Sequence, residues 1–160
     1  MFGKQEVIDF LNEKQIAFEK VEHDAVFTIE DMEGLGLDEK GEICKNLFLR
    51  DQKGKKHFLV VLPHGQKVDM ASLSDALGAG KLSFASADRL TKYLKLTQGA
   101  VSPLGVLNDE EKSVIVVIDK GLEGMDRLGI HPNDNTATLF LSYKDLLKIL
   151  NENSSPIKMY

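Results

Sequence analysis

The stretch NLFLRDQKGKKHFLVVL, Asn46 to Leu62, decides how the fold is read. Two runs rich in apolar and β-branched residues, 46–50 and 56–62, flank the polar segment Asp51-Gln-Lys-Gly54, and the pattern predicts a β-hairpin. Outward from it, residues 113–119 form a β-branched run bounded by charges, which predicts a central strand. Residues 136–142 and 17–21 add two more. Val7, Ile8, Phe10 and Leu11 share one face of a short amphipathic helix. Thr28-Ile-Glu-Asp31, Ser72-Leu-Ser-Asp75 and Ser142-Tyr-Lys-Asp145 are capping-box patterns, each predicting a helix start, and the last helix is expected to end near Leu150. A further helix is predicted over 87–94. Strands and helices do not alternate in a βαβ rhythm, so the predicted class is α+β: a mixed, curved β-sheet with flanking helices. No GxGxxG or GxxxxGK[ST] occurs, so nucleotide-binding loops of those kinds gain no support.

The totals fit that reading. With 160 residues, 42% hydrophobic and 28% charged, the chain is expected to fold as one domain over 1–160, with the polar stretch 151–160 a frayed tail. A single cysteine, Cys44, rules out an intrachain disulfide and fits a reducing, cytoplasmic setting. The first fifteen residues carry scattered charges and do not read as a signal peptide, and no apolar run is long enough to cross a bilayer. Net charge is −5, which excludes a broad basic face for coating nucleic acid but permits a local contact with one RNA end. Lys53, Lys55 and Lys56 on the hairpin turn, with Lys81, Arg89, Lys92 and Lys95, are the candidates for it.

Three stretches could carry chemistry. Lys45, followed by Asn46, stands at the entry to an apolar strand. It reads either as an edge lysine snorkelling into water or as a fixed cation at a cleft mouth, able to hold a phosphate or a developing oxyanion. Its neighbour Cys44 lacks an implied base and reads as a small buried hydrophobe. Gly99-Ala100-Val101-Ser102-Pro103 reads either as a plain connection or as a loop that presents bare backbone groups to a ligand. His131, in the polar turn 129–136, is either an acid–base group near neutral pH or a turn cap. The four histidines show no zinc-site spacing, and no metal or other cofactor is expected.

Taken in order, His23-x-x-x-Phe27-Thr-Ile-Glu-Asp-Met32, Lys45-Asn-Leu-Phe-Leu49, the GxxxP element 99–103 and Gly129-Ile-His-Pro-Asn-Asp-Asn-Thr-Ala-Thr138 resemble the YbaK/ProX superfamily. These are free-standing relatives of the editing domain inserted in bacterial prolyl-tRNA synthetase. The resemblance spans about residues 5–150 and is closest to the branch that hydrolyses alanyl-tRNA(Pro), with cysteinyl-tRNA deacylation and a catalytically silent tRNA- or synthetase-binding module as alternatives. It implies a sheet curving around one cleft and an aminoacyl-tRNA deacylase that positions water at the ester. It implies that Lys45 is the essential lysine facing the acceptor end, that the 99–103 loop positions the aminoacyl group, and that His131 lies in the pocket. The implied partner is the acceptor end of mischarged tRNA(Pro), with prolyl-tRNA synthetase a second candidate. An activated ester needs little more than a positioned water and charge stabilisation. Selection by size is expected, with Gly99, Ala100 and His131 among the pocket walls.

Overall fold

The computed structural model describes residues 1–160. Eight strands form a mixed sheet in the order β1-β7-β6-β2-β3-β5-β8, with the two-residue β4 also on β2. The strands are β1 Glu19–Glu22, β2 Glu42–Arg50, β3 His57–Pro63, β4 Ser83–Phe84, β5 Val114–Ile118, β6 Leu128–Ile130, β7 Ala137–Leu141 and β8 Ile157–Met159. Five helices flank them: α1 Lys4–Glu13, α2 Ile29–Gly34, α3 Met70–Leu77, α4 Ala87–Leu94 and α5 Tyr143–Glu152. The architecture is the α+β arrangement that the sequence predicts.

The hairpin is the spine of the sheet. β2 and β3 pair antiparallel from Cys44 opposite Pro63 to Arg50 opposite His57. β3 is buried almost throughout, and its side chains alternate between two cores as a period-2 strand requires. Leu59 and Val61 join a core with α1, α4 and α5, while Phe58, Val60 and Leu62 join a second with Leu73 and Leu77 of α3. A strand buried on both faces explains the unbroken apolar run that marks it in the sequence. Each such Val or Leu contributes roughly 1.5–3 kcal/mol when fully buried.

The structure corrects the sequence in three places. Ser72 does not cap α3: Asp69 does, accepting from the amides of Ala71 and Ser72, so the helix begins a turn earlier. Residues 151–160 are not a frayed tail. α5 runs to Glu152, and β8 pairs parallel with β5, tied by Val116 N to Pro156 O at 2.8 Å and Tyr160 N to Ile118 O at 2.9 Å. The 98–105 connection is only partly a loop, because Pro103–Asn108 winds into a 3₁₀ helix capped by Ser102. Pro103 suits its first position, where no amide donor is needed.

One feature of the sheet places the site. β3 occupies one edge of β2, while the other edge is shared: Glu42 and Ile43 pair with β6, and Leu49 and Arg50 with β4. Between them, at Cys44 to Leu47, no strand covers that edge, and a cleft opens there.

Candidate active site

The cleft has a volume of about 230 Å³ and is walled by Lys45 and Asn46 of β2, Gly99 and Val101, His131, and the apolar side chains of α2 and its approach. Three of the sequence-predicted stretches therefore converge on one cavity, although they lie far apart in the chain.

Lys45 is partly exposed, and its Nζ donates to the Gln66 carbonyl at 2.6 Å. Gln66 is itself held by Asp119, through Nε2 to Oδ2 at 2.6 Å. No carboxylate lies within 4.0 Å of the ammonium; the nearby Glu42 is paired with His64 instead. The charge is thus positioned by a neutral carbonyl and left uncompensated.

Asn46 points its amide NH₂ at the Val101 carbonyl, 3.2 Å away, which joins β2 to the 99–103 loop. Its Oδ1 is buried and has no hydrogen-bond partner in the chain. A buried acceptor left unpaired costs about 1–3 kcal/mol, so this wall of the cleft has unmet capacity for a donor.

Within the loop, two residues line the cleft and three do not. Gly99, at φ +86°, and Val101 line the cleft, and their amides donate to no acceptor in the chain. Ala100 is only 4% exposed and its amide donates to Thr97 O at 3.1 Å, so it packs into the interior and is not a pocket wall. Ser102 and Pro103 are also buried away from the cleft. The Ser102 hydroxyl donates to the His131 carbonyl at 2.6 Å and accepts from Leu104 N, so Ser102 locks the loop to the histidine turn instead of touching a ligand.

His131 faces the cleft with Nδ1 bound to the Ala137 carbonyl at 3.0 Å. A carbonyl can only accept, so Nδ1 carries the proton and Nε2 presents a lone pair. Burial lowers the pKa of the ring, the largest effect, against the raising influence of the Ala137 bond, and the imidazole is neutral near pH 7. The residues after it act as a clamp. Asn135 Nδ2 donates to Val26 O at 2.9 Å while Val26 N donates to Asn135 O at 3.1 Å, and Asn133 Nδ2 donates to Phe2 O and Leu104 O. This role of the polar turn is not visible from residue types alone.

Cys44 also borders the cavity, yet its thiol is inert. Burial, followed by the charge of Glu42, pushes its pKa up to about 12, so almost no thiolate exists near neutrality. Replacing Cys44 with Ala is expected to leave hydrolytic turnover within about threefold of wild type. A hundredfold loss would put the thiol back at the centre of the chemistry.

Of the basic residues proposed to meet RNA, Lys53, Lys55, Lys56, Lys81, Lys92 and Lys95 are exposed. Arg89 is partly buried and binds Gly54 O at 3.0 Å, seating α4 against the hairpin turn. The turn that carries Lys53, Lys55 and Lys56 lies at the far end of β2 from Lys45.

Comparison with known proteins identifies the family. The model of the aminoacyl-tRNA editing domain family matches residues 23–149. The chain is 54% identical to the prolyl-tRNA editing protein ProX of Acetoanaerobium sticklandii, over 99% of this chain and 96% of that protein. It is 36% identical to prolyl-tRNA synthetase associated domain-containing protein 1 of Danio rerio, over 93% and 82% respectively. Among solved structures, the hypothetical protein APE2540 superposes with a TM-score of 0.73 at 16% identity, covering 96% of this chain and 97% of that one. A candidate trans-editing enzyme for prolyl tRNA synthetase gives 0.72 at 19%, covering 99% and 97%. At such identities the two structures speak to the fold alone.

Proposed function

Because the chain belongs to the aminoacyl-tRNA editing domain family, we propose that it is a trans-acting aminoacyl-tRNA deacylase that removes alanine from mischarged tRNA(Pro). The 54% identity to a prolyl-tRNA editing protein across nearly both full lengths supports tRNA(Pro) as the carrier. The single observation that supports the chemistry is that Lys45, with no carboxylate within 4.0 Å of its ammonium, lines the same cleft as Gly99 and Val101, whose amides donate to no acceptor in the chain.

The residues divide the work. A water attacks the ester carbonyl, and negative charge develops on its oxygen. Lys45, with the Gly99 and Val101 amides, stabilises that charge in a setting where donors need little reorganisation. His131, neutral and with Nε2 free, accepts a proton from the water or holds it in line. The leaving group is the ribose hydroxyl of the terminal nucleotide. An aminoacyl ester is activated enough that this positioning suffices without a covalent intermediate.

Alanine is favoured by the walls. Ile43, Met32 and Ile130 are buried and packed, so they yield little to a larger side chain. On this reading the walls refuse the prolyl ring and tolerate a serine hydroxyl. The test is amino-acid release from tRNA(Pro) charged with alanine, serine or cysteine. Alanine should leave fastest and serine partially. Cysteine leaving fastest would assign the cleft to cysteinyl-tRNA instead.

A further inference from the structure

Phe27 is exposed where local physics would bury it. It precedes Thr28, the N-cap of α2, at the position from which an apolar side chain ordinarily packs onto the fourth helical residue, here Met32. Met32 is 4% exposed, whereas Phe27 is 69% exposed. The staple is not closed.

The backbone beneath the ring is nevertheless fixed. Phe27 N donates to Asp31 Oδ2 at 2.9 Å, and the preceding residue is clamped on both its polar groups by Asn135. The ring edges along Gly99, where a Cβ would lie 3.0 Å from Phe27 Cδ1. Apart from His131, Phe27 is the aromatic residue of the cleft wall. An apolar ring is thus held on a rigid support at the rim of the cavity, facing water.

From this geometry we propose that Phe27 is the stacking platform for the terminal adenine of the tRNA. The inference rests on the cleft being an aminoacyl-ester site. The ribose that carries the ester also carries that base, so an acyl group seated between Lys45 and Gly99 leaves the adenine one sugar away, at the rim. A purine face laid on the Phe27 ring removes both from water. Base–aromatic stacking of this kind changes affinity by roughly 5- to 150-fold.

The test measures binding of a short RNA ending in CCA, with alanine linked to the terminal ribose through an amide so that it cannot be hydrolysed. A second probe is identical but lacks the terminal base. Phe27→Ala should weaken the first probe roughly 10- to 100-fold and leave the second nearly unchanged. Phe27→Trp should keep wild-type affinity, and Phe27→Leu should not. Thermal melting of all three should match wild type, since the ring packs on little; if Phe27→Ala melts early, the Trp–Leu contrast carries the test. Equal weakening of both probes would make Phe27 a wall for the amino acid and overturn the stacking, as would no weakening of either.

Turnover of Ala-tRNA(Pro) by the wild type, measured alongside, separates the two proposals. Turnover with base-indifferent binding overturns the platform alone. Base-dependent binding without turnover overturns the deacylase reading alone, and neither binding nor turnover overturns both.

Discussion

Replacing Lys45 with Ala is expected to lower deacylation of Ala-tRNA(Pro) by at least ~10²-fold, the usual cost of losing one well-placed donor to a developing oxyanion. Stability should change far less than activity. The side chain contributes one charge-assisted hydrogen bond, to Gln66 O, worth at most about 1.5–3 kcal/mol and reduced by solvent at this partly exposed position, and little packing. Lys45→Arg keeps the charge on a planar fork that cannot reproduce the ammonium's point contact, so it should recover only part of the activity. Single-turnover kinetics beside a thermal melt checks both claims. Full activity in the Ala variant would remove the cation from the mechanism. Loss of folding would return Lys45 to a structural role.

Gly99→Ala should be nearly as damaging, for a different reason. Gly99 sits at φ +86°, a conformation that costs an L-residue roughly 1–2 kcal/mol. Its new Cβ would also stand 3.0 Å from Phe27 Cδ1 and 3.6 Å from Asn135 Nδ2. Relief requires moving the loop, Phe27 or the Asn135 clamp; the first two line the cleft, and the clamp holds Val26, which does too. A shift of about 1 Å in a positioning element can cost on the order of 10²-fold in rate. The expected result is a large drop in turnover with a melting temperature lowered by only a few degrees, roughly 2–8 °C. Wild-type turnover would show that the loop amides do not hold the substrate.

Where local pattern determines structure, the sequence was legible. The hairpin, the predicted caps at Thr28 and Ser142, and the β5 run all appear where residue types predict them. The elements that escaped owe their existence to distant partners. β8 is three residues in a polar tail, formed only because β5 offers a parallel edge. β6 is equally short, contains Gly129, and is stabilised between β2 and β7.

The site follows the same rule. Lys45, Gly99 and His131 stand out because each breaks its local pattern: a cation in a strand, a glycine in a loop, a histidine in a polar turn. That Ala100, Ser102 and Pro103 turn inward could not be read from contiguity, since it depends on the turn at Gly99 and on the 3₁₀ helix that Ser102 caps and Pro103 opens. Phe27 was hidden because an apolar residue before an N-cap looks like a staple until its exposure is known.

The most direct measurement compares two substrates on one enzyme: tRNA(Pro) charged with alanine and tRNA(Pro) charged with proline, each in single turnover at saturating protein. Exclusion of the larger ring by the packed walls predicts that alanine is released faster on the order of 10²-fold. Equal rates would contradict the account, because an editing site that cleaves the correct product cannot be selecting by size.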